Sequence, residues 1–219
     1  MHHQKIDHLA RALEEIEIAY EMNFTIPSNR NLVKGKGEDM LRDSYHALNG
    51  LGDFPLLHQL KAAIKIGEFL FLYDDSKHFN RYRLKTLKSE VYSVFNYSWH
   101  GSYLRMCRTY ERDCLHSGLQ ERIWNGPPIA KRCFGVSEEA PDLSGNGSAG
   151  WKLNAFNDLQ YDLISRLQGY KLVRIPAYEN IMISGKLQRV DKLLLQPTID
   201  IYRIMGSWMV RKMDQLNRP

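Results

Sequence analysis

Residues 126–150 interrupt the apolar spacing of the rest of the chain, and this break most constrains the fold. The stretch contains Pro127-Pro128, Pro141 and the glycine-rich run Ser144–Gly150. Proline lacks an amide donor and glycine readily adopts turn conformations, so the two together predict a loop. We therefore expect 126–155 to be a flexible loop. It separates a helical part with basic helices, 1–125, from a mixed helix and strand part of the same domain, 156–219.

Helical spacing dominates before the break. Leu9, Leu13 and Ile16 lie three or four residues apart and predict a helix over 6–22. Similar patterns predict further helices over 38–48, 53–72, 81–95, 103–116, 156–167 and 199–216. The apolar run 67–73 also suits a buried strand, and strand patterns cover 171–175 and 180–184. These patterns predict a mainly α fold with a small sheet or hairpin in the C-terminal half, with α+β as the alternative.

The composition is that of a globular chain with a substantial core. Of the 219 residues, 43% are hydrophobic and 25% are charged, which excludes collagen, mucin, disordered and disulfide-scaffold classes. The N-terminus lacks the apolar segment of a signal peptide, and the longest apolar stretch, 62–73, is too short and too interrupted to span a membrane. We expect no membrane partner. Three cysteines favour reduced thiols and a cytoplasmic location.

Positive charge is concentrated in one segment. The chain has 30 Lys and Arg against 25 Asp and Glu, a formal charge of +5. Residues 74–135 carry 11 basic and 6 acidic residues, whereas 1–73 and 136–219 have net charges of −2 and +2. A local excess of this kind favours a polyanionic partner.

Helical geometry aligns these cations. In the predicted helix 81–95 one face carries Arg81, Lys85 and Lys88, and in the next helix one stripe carries Arg105, Arg108 and Arg112. Guanidinium groups suit phosphate because their planar fork donates two hydrogen bonds at once. Three aromatic residues in the same segment would add stacking on bases if exposed: Tyr92, Tyr97 and Trp99. The sequence therefore predicts a nucleic-acid-binding protein, for DNA or RNA, that contacts the phosphate backbone.

Two other interpretations of the basic stripe remain open. A charged helix face is also typical of an ordinary hydrated surface, on which Glu111 and Asp113 would partly neutralise the arginines. The same face would suit a helical scaffold or complex subunit that binds an acidic protein, or a homo-oligomer. The sequence alone does not decide whether the protein is an enzyme.

A third interpretation comes from Trp99-His100-Gly101-Ser102. This tetrapeptide resembles the His-Gly-Ser/Thr strand of ADP-ribosyltransferases of the poly-ADP-ribose polymerase and diphtheria-toxin type. The resemblance implies an NAD-using transferase in which His100 binds the nicotinamide-side ribose. It also implies a later glutamate that polarises a ribose hydroxyl, for which Glu179 is the candidate. His100 and Glu179 are therefore the candidate catalytic residues.

Two sequence patterns that resemble a zinc site and a dinucleotide-binding site are excluded by their spacing and their surroundings. His100, Cys107 and Cys114 are seven residues apart, so on one helix they lie about 10.5 Å from each other, too far to share a zinc ion. No metal ligands are assigned. Gly145–Gly150 spells G-x-G-x-x-G, but no strand precedes it, so a dinucleotide site is not predicted.

Asp53, Asp75 and Lys77 resemble the acid, acid-x-lysine pattern of metal-dependent nucleases of the restriction type. In those enzymes two carboxylates hold a divalent cation and the lysine helps to activate water. Asp53 equally suits a helix cap. Both roles stay open at the level of sequence.

Overall fold

The computed structural model describes residues 2–217 and shows a mixed α/β protein. Helices account for 52% and strands for 16% of the chain. The prediction of a mainly α fold with only a small hairpin is therefore wrong. The largest single difference lies in 53–72, where the predicted helix is replaced by strands.

Helices and strands alternate in blocks along the chain. The helices are α1 His2–Glu14, α2 Arg30–Val33, α3 Lys36–Ala47, α4 Arg81–Thr86, α5 Val91–Val94, α6 His100–Thr109, α7 Glu111–Gly118, α8 Glu121–Trp124, α9 Pro128–Phe134, α10 Ala149–Leu167, α11 Val190–Leu193 and α12 Ile199–Asn217. The strands are β1 Glu21–Pro27, β2 Gln59–Ile66, β3 Phe69–Asp74, β4 Lys171–Pro176, β5 Asn180–Ile183 and β6 Lys186–Arg189. A short 3-10 turn covers Ser76–His78. The predicted strands 171–175 and 180–184 match β4 and β5, and the predicted last helix matches α12.

The chain divides into two units, each assembled from separate stretches of sequence. The first unit, the sheet unit, comprises 2–26, 61–75 and 168–217. The second, the helical unit, comprises 27–60 and 76–167. The predicted parts 1–125, 126–155 and 156–219 do not follow these boundaries, because strand pairing joins segments about 100 residues apart.

A four-stranded mixed sheet in the order β1-β2-β3-β4 forms the centre of the sheet unit. Strand β3 is antiparallel to β2, with Ile64 opposite Phe71, and parallel to β4, with Phe71 opposite Val173. The run Phe-Leu-Phe-Leu-Tyr of β3 is apolar at every position, which is typical of a central strand. This explains why helical periodicity alone could not identify it.

Helices α1 and α12 pack against one face of this sheet. Alternate β3 residues, Phe69, Phe71 and Tyr73, contribute to a core that also contains Leu13 of α1 and Met205 of α12. The two helices approach closely at Gly206, where a Cβ atom would lie 2.2 Å from the carbonyl oxygen of Ala12. On the opposite face of the sheet, Arg174 and Asp74 form a buried ion pair at 2.7 Å.

Helix α10 is the centre of the helical unit. Fourteen of its 19 residues are buried, so it is enclosed on most sides rather than amphipathic. Aromatic side chains pack around Phe156, including Tyr45 at 5.2 Å and Phe54 at 6.0 Å between ring centroids. Several buried α10 residues are nevertheless polar or charged: Lys152, Asp158, Gln160, Asp162 and Ser165.

The stretch 126–155, expected to be a flexible loop, contains α9 and the start of α10, and its glycine-rich part is held by hydrogen bonds. Asn146 donates its side-chain amide to the carbonyl oxygens of Phe134, at 2.8 Å, and Val136, at 2.6 Å. Its amide oxygen accepts from Lys152 Nζ at 2.6 Å. Burial, followed by repulsion from Lys85, holds the pKa of Lys152 below its usual value. The loop is therefore a packed element of the helical unit.

Within residues 2–217 no helix combines the length and the apolar character needed to cross a membrane.

Candidate functional site

The basic residues predicted to bind phosphate lie on short helices and a turn rather than on two long helices. Arg81 and Lys85 lie on α4, and Lys88 lies in the turn that precedes α5. The second predicted helix is broken at Tyr110, whose φ of −108° and ψ of 16° end α6. Arg105 and Arg108 therefore belong to α6, and Arg112 belongs to α7. All six of these basic side chains are exposed.

Arg81 is neutralised by a carboxylate of the same unit. Its Nε donates to Glu111 Oε1 at 2.8 Å and its Nη2 to Glu111 Oε2 at 3.0 Å. Burial opposes ionisation of Glu111, but the hydrogen bonds from Arg81 outweigh it, so the pKa of this carboxyl group lies below its usual value. Arg81 thus joins α4 to α7, and we remove it from the candidate phosphate ligands.

Arg105, Arg108 and Arg112, which we call the arginine row, differ from Arg81 in their surroundings. Among residues 2–217 none of the three forms an ion pair with a carboxylate. Arg105 and Arg108 lie three residues apart on one face of α6. Arg112 follows in the first turn of α7, directly beyond the break at Tyr110. The row is therefore a set of exposed cations on two consecutive helices.

Lys85 and Lys88 have a different setting from the arginine row. Both line a surface cavity of about 390 Å³ that also contains Asp43, Ser44 and Glu90. Lys85 Nζ donates to the carbonyl oxygen of Ala47 at 3.3 Å. Because carboxylates share this cavity with the two lysines, it is a weaker anion site than the arginine row.

The three aromatic residues predicted to stack on bases are buried, so that prediction is wrong. The exposed fractions of Tyr92, Tyr97 and Trp99 are 8%, 6% and 7%. Tyr97 donates its hydroxyl to the carbonyl oxygen of Asp162 at 2.7 Å, and Trp99 packs edge-on against Tyr103. Tyrosine suits such a position because its apolar ring can be buried while its hydroxyl finds a partner.

The tetrapeptide that resembles an ADP-ribosyltransferase strand is not a strand. His100-Gly101-Ser102 forms the first turn of α6. The His100 ring stacks on Tyr92 with centroids 4.7 Å apart, and its Nε2 donates to the carbonyl oxygen of Leu87 at 2.7 Å. Glu179, which belongs to the sheet unit, pairs with Lys212 Nζ at 2.8 Å. His100 therefore anchors the start of a helix, and the strand geometry that the resemblance implies is wrong.

The residues of the loose nuclease pattern are also divided between the units. Asp53 and Lys77 belong to the helical unit and Asp75 belongs to the sheet unit. Asp53 is exposed, and Asp75 Oδ2 lies 3.2 Å from His2 Nδ1. The helix that Asp53 was expected to cap is absent, since β2 and β3 occupy that stretch.

A buried ionic cluster in the helical unit was missed by sequence reasoning. Arg83 of α4 donates from Nη2 to Asp162 Oδ2 at 2.7 Å, and from Nη1 to the Tyr92 hydroxyl at 3.0 Å. The Tyr92 hydroxyl in turn donates to the same Asp162 oxygen. The exposed fractions of the Arg83 and Asp162 side chains are only 1% and 0%. The Asn80 side chain caps α4 by accepting from the amides of Tyr82 and Arg83, which fixes where Arg83 enters the unit.

The cluster continues along one face of α10 to a histidine. Asn154, Asp158 and Asp162 are four residues apart and share that face. Asp158 Oδ2 lies 2.8 Å from His78 Nδ1 and 3.9 Å from Arg83 Nε. The side chain of His78 is 17% exposed and that of Asp158 is 8% exposed. The cluster is therefore fully buried at Arg83 and Asp162 and reaches solvent at His78.

Helix α7 packs against the turn that carries His78. Ser76 Oγ donates to Ser117 Oγ at 2.7 Å, and Cys114 Sγ donates to the carbonyl oxygen of Lys77 at 3.4 Å. Cys114 and Ser117 both belong to α7, as does Arg112 of the arginine row. Helix α7 therefore carries one cation of the arginine row and also contacts the turn that contains His78.

The comparisons with known proteins give the chain a family but no activity. Neither the curated proteins nor the solved structures contain a significant match. Residues 43–196 match a family of unknown function, DUF7255, and this range covers most of the chain. The chain therefore belongs to that family.

Proposed function

We propose that the protein binds nucleic acid through phosphate contacts made by the arginine row. The observation that supports this is the exposure of Arg105, Arg108 and Arg112 without carboxylate partners among residues 2–217. Other arginines of the same unit, Arg81 and Arg83, have carboxylates at 2.8 Å and 2.7 Å. A cation without an internal partner can meet an external anion directly, whereas a paired one must first lose its partner.

Phosphate is the anion that best fits such a row. Each guanidinium group can donate two parallel hydrogen bonds to phosphate oxygens, and phosphate contacts hold a protein on a nucleic acid without reading its bases. The burial of Tyr92, Tyr97 and Trp99 removes the predicted stacking on bases. Binding is therefore expected to depend on charge and salt and to be nearly independent of base sequence.

The charge of the two units supports the same assignment. The helical unit contains 17 basic and 13 acidic residues, and the rest of the chain contains 13 and 12. The formal net charge is therefore +4 for the helical unit and +1 for the rest of the chain. The helical unit is accordingly the more cationic of the two, and we expect polyanions to prefer it.

Replacing the row tests the proposal. The triple variant Arg105→Gln, Arg108→Gln, Arg112→Gln is expected to bind labelled single-stranded and duplex DNA and RNA at least about tenfold more weakly at low salt, because three phosphate contacts are lost. Fluorescence anisotropy measures the affinity.

The matched control removes the same charge elsewhere. Lys186, Lys192 and Arg211 are exposed residues of the sheet unit, and their replacement by Gln is expected to change affinity less than about threefold, the long-range part of the charge effect. Equal losses in the two variants would show that net charge, not the row, binds nucleic acid. Preference of the row for an acidic protein over nucleic acid would favour the scaffold interpretation.

A cytoplasmic location is part of the proposal. Cys107, Cys114 and Cys133 are buried thiols rather than disulfides. This supports a reducing compartment, where nucleic acid is also available.

A further inference from the structure

We propose that His116 is a fourth phosphate-binding residue of the arginine row, which joins the row as an imidazolium and makes nucleic-acid binding tighter as the pH falls. This inference rests on the proposed function, since it requires a nucleic acid bound at α7. It adds to that function one ligand and one proton that binds together with the phosphate. Three features support it: the position of His116 beside Arg112, the hydrogen bond that holds its ring, and the lack of an ion-pair partner among residues 2–217.

His116 and Arg112 lie on the same side of α7. They are four residues apart, which places them about 40° apart around the helix and about 6 Å apart along its axis. Both side chains are exposed. Residues at this spacing are neighbours on a helix surface. A phosphate held by Arg112 therefore lies close to the imidazole of His116.

A hydrogen bond to the backbone determines which nitrogen of His116 can meet a phosphate. Nδ1 lies 2.7 Å from the carbonyl oxygen of Arg112. A carbonyl oxygen only accepts, so Nδ1 carries a hydrogen in the neutral ring as well as in the protonated ring. Nε2 is then the atom that takes up the proton. The neutral ring presents a lone pair to an anion at Nε2, whereas the protonated ring presents a positively charged N–H donor.

The charged neighbours of His116 on α7 are a row arginine and an aspartate. Asp113 lies three residues from His116, about 60° around the helix. The imidazole nevertheless forms no ion pair within the described part of the chain, 2–217. Aspartates as a class change charge near pH 4, below the range in which histidines do. The pH dependence expected between pH 6 and 8 is therefore that of the imidazole.

The elements that pack against α7 meet it on other sides. Their contacts are with Glu111, Cys114, Ser117 and Gly118, which lie about 100° or more around the helix from His116. The charged and titratable residues beside these contacts are Arg81, Lys77, His78 and Lys152, and the preceding helix α6 carries Arg105 and Arg108. The side of α7 that bears His116 is thus shared with Arg112 and Asp113 rather than with residues that pack against neighbouring elements.

The pH dependence of binding tests this inference. Fluorescence anisotropy measures the affinity of the full chain for labelled single-stranded and duplex DNA and RNA at about pH 6 and about pH 8, each over a range of salt concentrations. These values bracket the range in which histidines change charge. The wild type is expected to bind at least about threefold more tightly at the lower pH. One added phosphate contact should also make the slope of log affinity against log salt larger by up to about 0.9.

Two substitutions at the same position separate charge from structure. His116→Gln stays neutral, so its affinity should change less than about twofold between the two pH values and should resemble that of the wild type at the higher pH. His116→Lys stays charged and should bind at both pH values about as tightly as the wild type does at the lower one. A histidine that serves only to hold the end of α7 would leave the salt slope unchanged in both variants.

His46 supplies the matched control. It is an exposed histidine in the last turn of another helix of the same unit, α3, which carries no member of the arginine row. His46→Gln should keep both the tighter binding and the larger salt slope at the lower pH, because only a cation that contacts a phosphate releases its counterion.

The outcomes separate this inference from the proposed function. Binding that depends on the arginine row but is equal at the two pH values would overturn the role of His116 and leave nucleic-acid binding intact. A pH dependence that persists in His116→Gln, or that is lost in His46→Gln, would overturn it equally. Failure of the wild-type protein to bind any of the oligonucleotides at either pH would remove both proposals.

Discussion

Asp162→Ala is expected to lower the free energy of unfolding by about 3–5 kcal/mol, the cost of breaking a buried ion pair on one side. The change removes the carboxylate 2.7 Å from the Arg83 guanidinium, in a place where neither side chain is more than 1% exposed. It also removes the acceptor of the Tyr92 hydroxyl. Urea denaturation followed by tryptophan fluorescence measures the effect, since Trp99, Trp124 and Trp151 all belong to the helical unit.

Two comparisons determine whether burial is the cause. Lys36 and Glu90 form an exposed ion pair, with side chains 64% and 55% exposed. Lys36→Ala is therefore expected to lower the free energy of unfolding by less than about 1 kcal/mol. The double change Arg83→Met, Asp162→Leu is expected to recover part of the stability lost in Asp162→Ala, because it no longer leaves the buried Arg83 guanidinium without the Asp162 carboxylate. A cost for Asp162→Ala as small as that for Lys36→Ala would show that the buried ion pair does not stabilise the helical unit.

Gly150→Ala is expected to destabilise the helical unit by about 3 kcal/mol or more. The added methyl group would overlap backbone atoms, and these cannot move aside without displacing the chain around them. A Cβ atom at this position would lie 2.2 Å from the carbonyl oxygen of Ile123, 2.7 Å from the amide nitrogen of Gly126 and 2.7 Å from the carbonyl oxygen of Trp124. All three are backbone atoms. Gly150 is the last glycine of the G-x-G-x-x-G pattern. The absence of a side chain there is explained by the close approach of α10 to the residues around α8.

Gly37→Ala is the matched control for this substitution. Its added Cβ would meet no atom closer than 3.7 Å, and Gly37 lies inside α3. Alanine should there be neutral or stabilising by up to about 1 kcal/mol. The same thermal or urea unfolding experiment serves for both variants. If Gly150→Ala unfolds like the wild type, the backbone around α8 does not lie this close to α10.

The sequence predicted several elements but not the sheet that joins them. Helix α12 and strands β4 and β5 follow from local patterns, since each is bounded by its own turn residues. The strand Phe69–Asp74 could not be separated from a helix end, because a strand buried on both faces has no alternation. The pairing of β3 with β4 joins residues about 100 positions apart, and no local pattern indicates it.

The candidate site was predictable on its surface and unpredictable in its interior. Exposed arginines follow from helical periodicity, even though a break at Tyr110 divides the predicted helix. The partners Arg83 and Asp162 are 79 residues apart in sequence, so their contact depends on the tertiary fold. One signal was available in the sequence: Asn154, Asp158 and Asp162 repeat every four residues on a helix that is otherwise largely apolar. Because α10 is buried on most sides, this polar stripe forms a hydrogen-bonded network inside the protein.

The salt dependence of nucleic-acid binding tests the central claim, that the arginine row contacts phosphates. Affinity for a duplex DNA is measured by anisotropy over a range of salt concentrations for the wild type, the triple row variant and the triple control variant. Each phosphate contact contributes about 0.9 to the slope of log affinity against log salt, so the row variant should have a slope smaller by about 2.7. The control variant should keep the wild-type slope. An unchanged slope in the row variant, or no binding by the wild type at low salt, would contradict the claim.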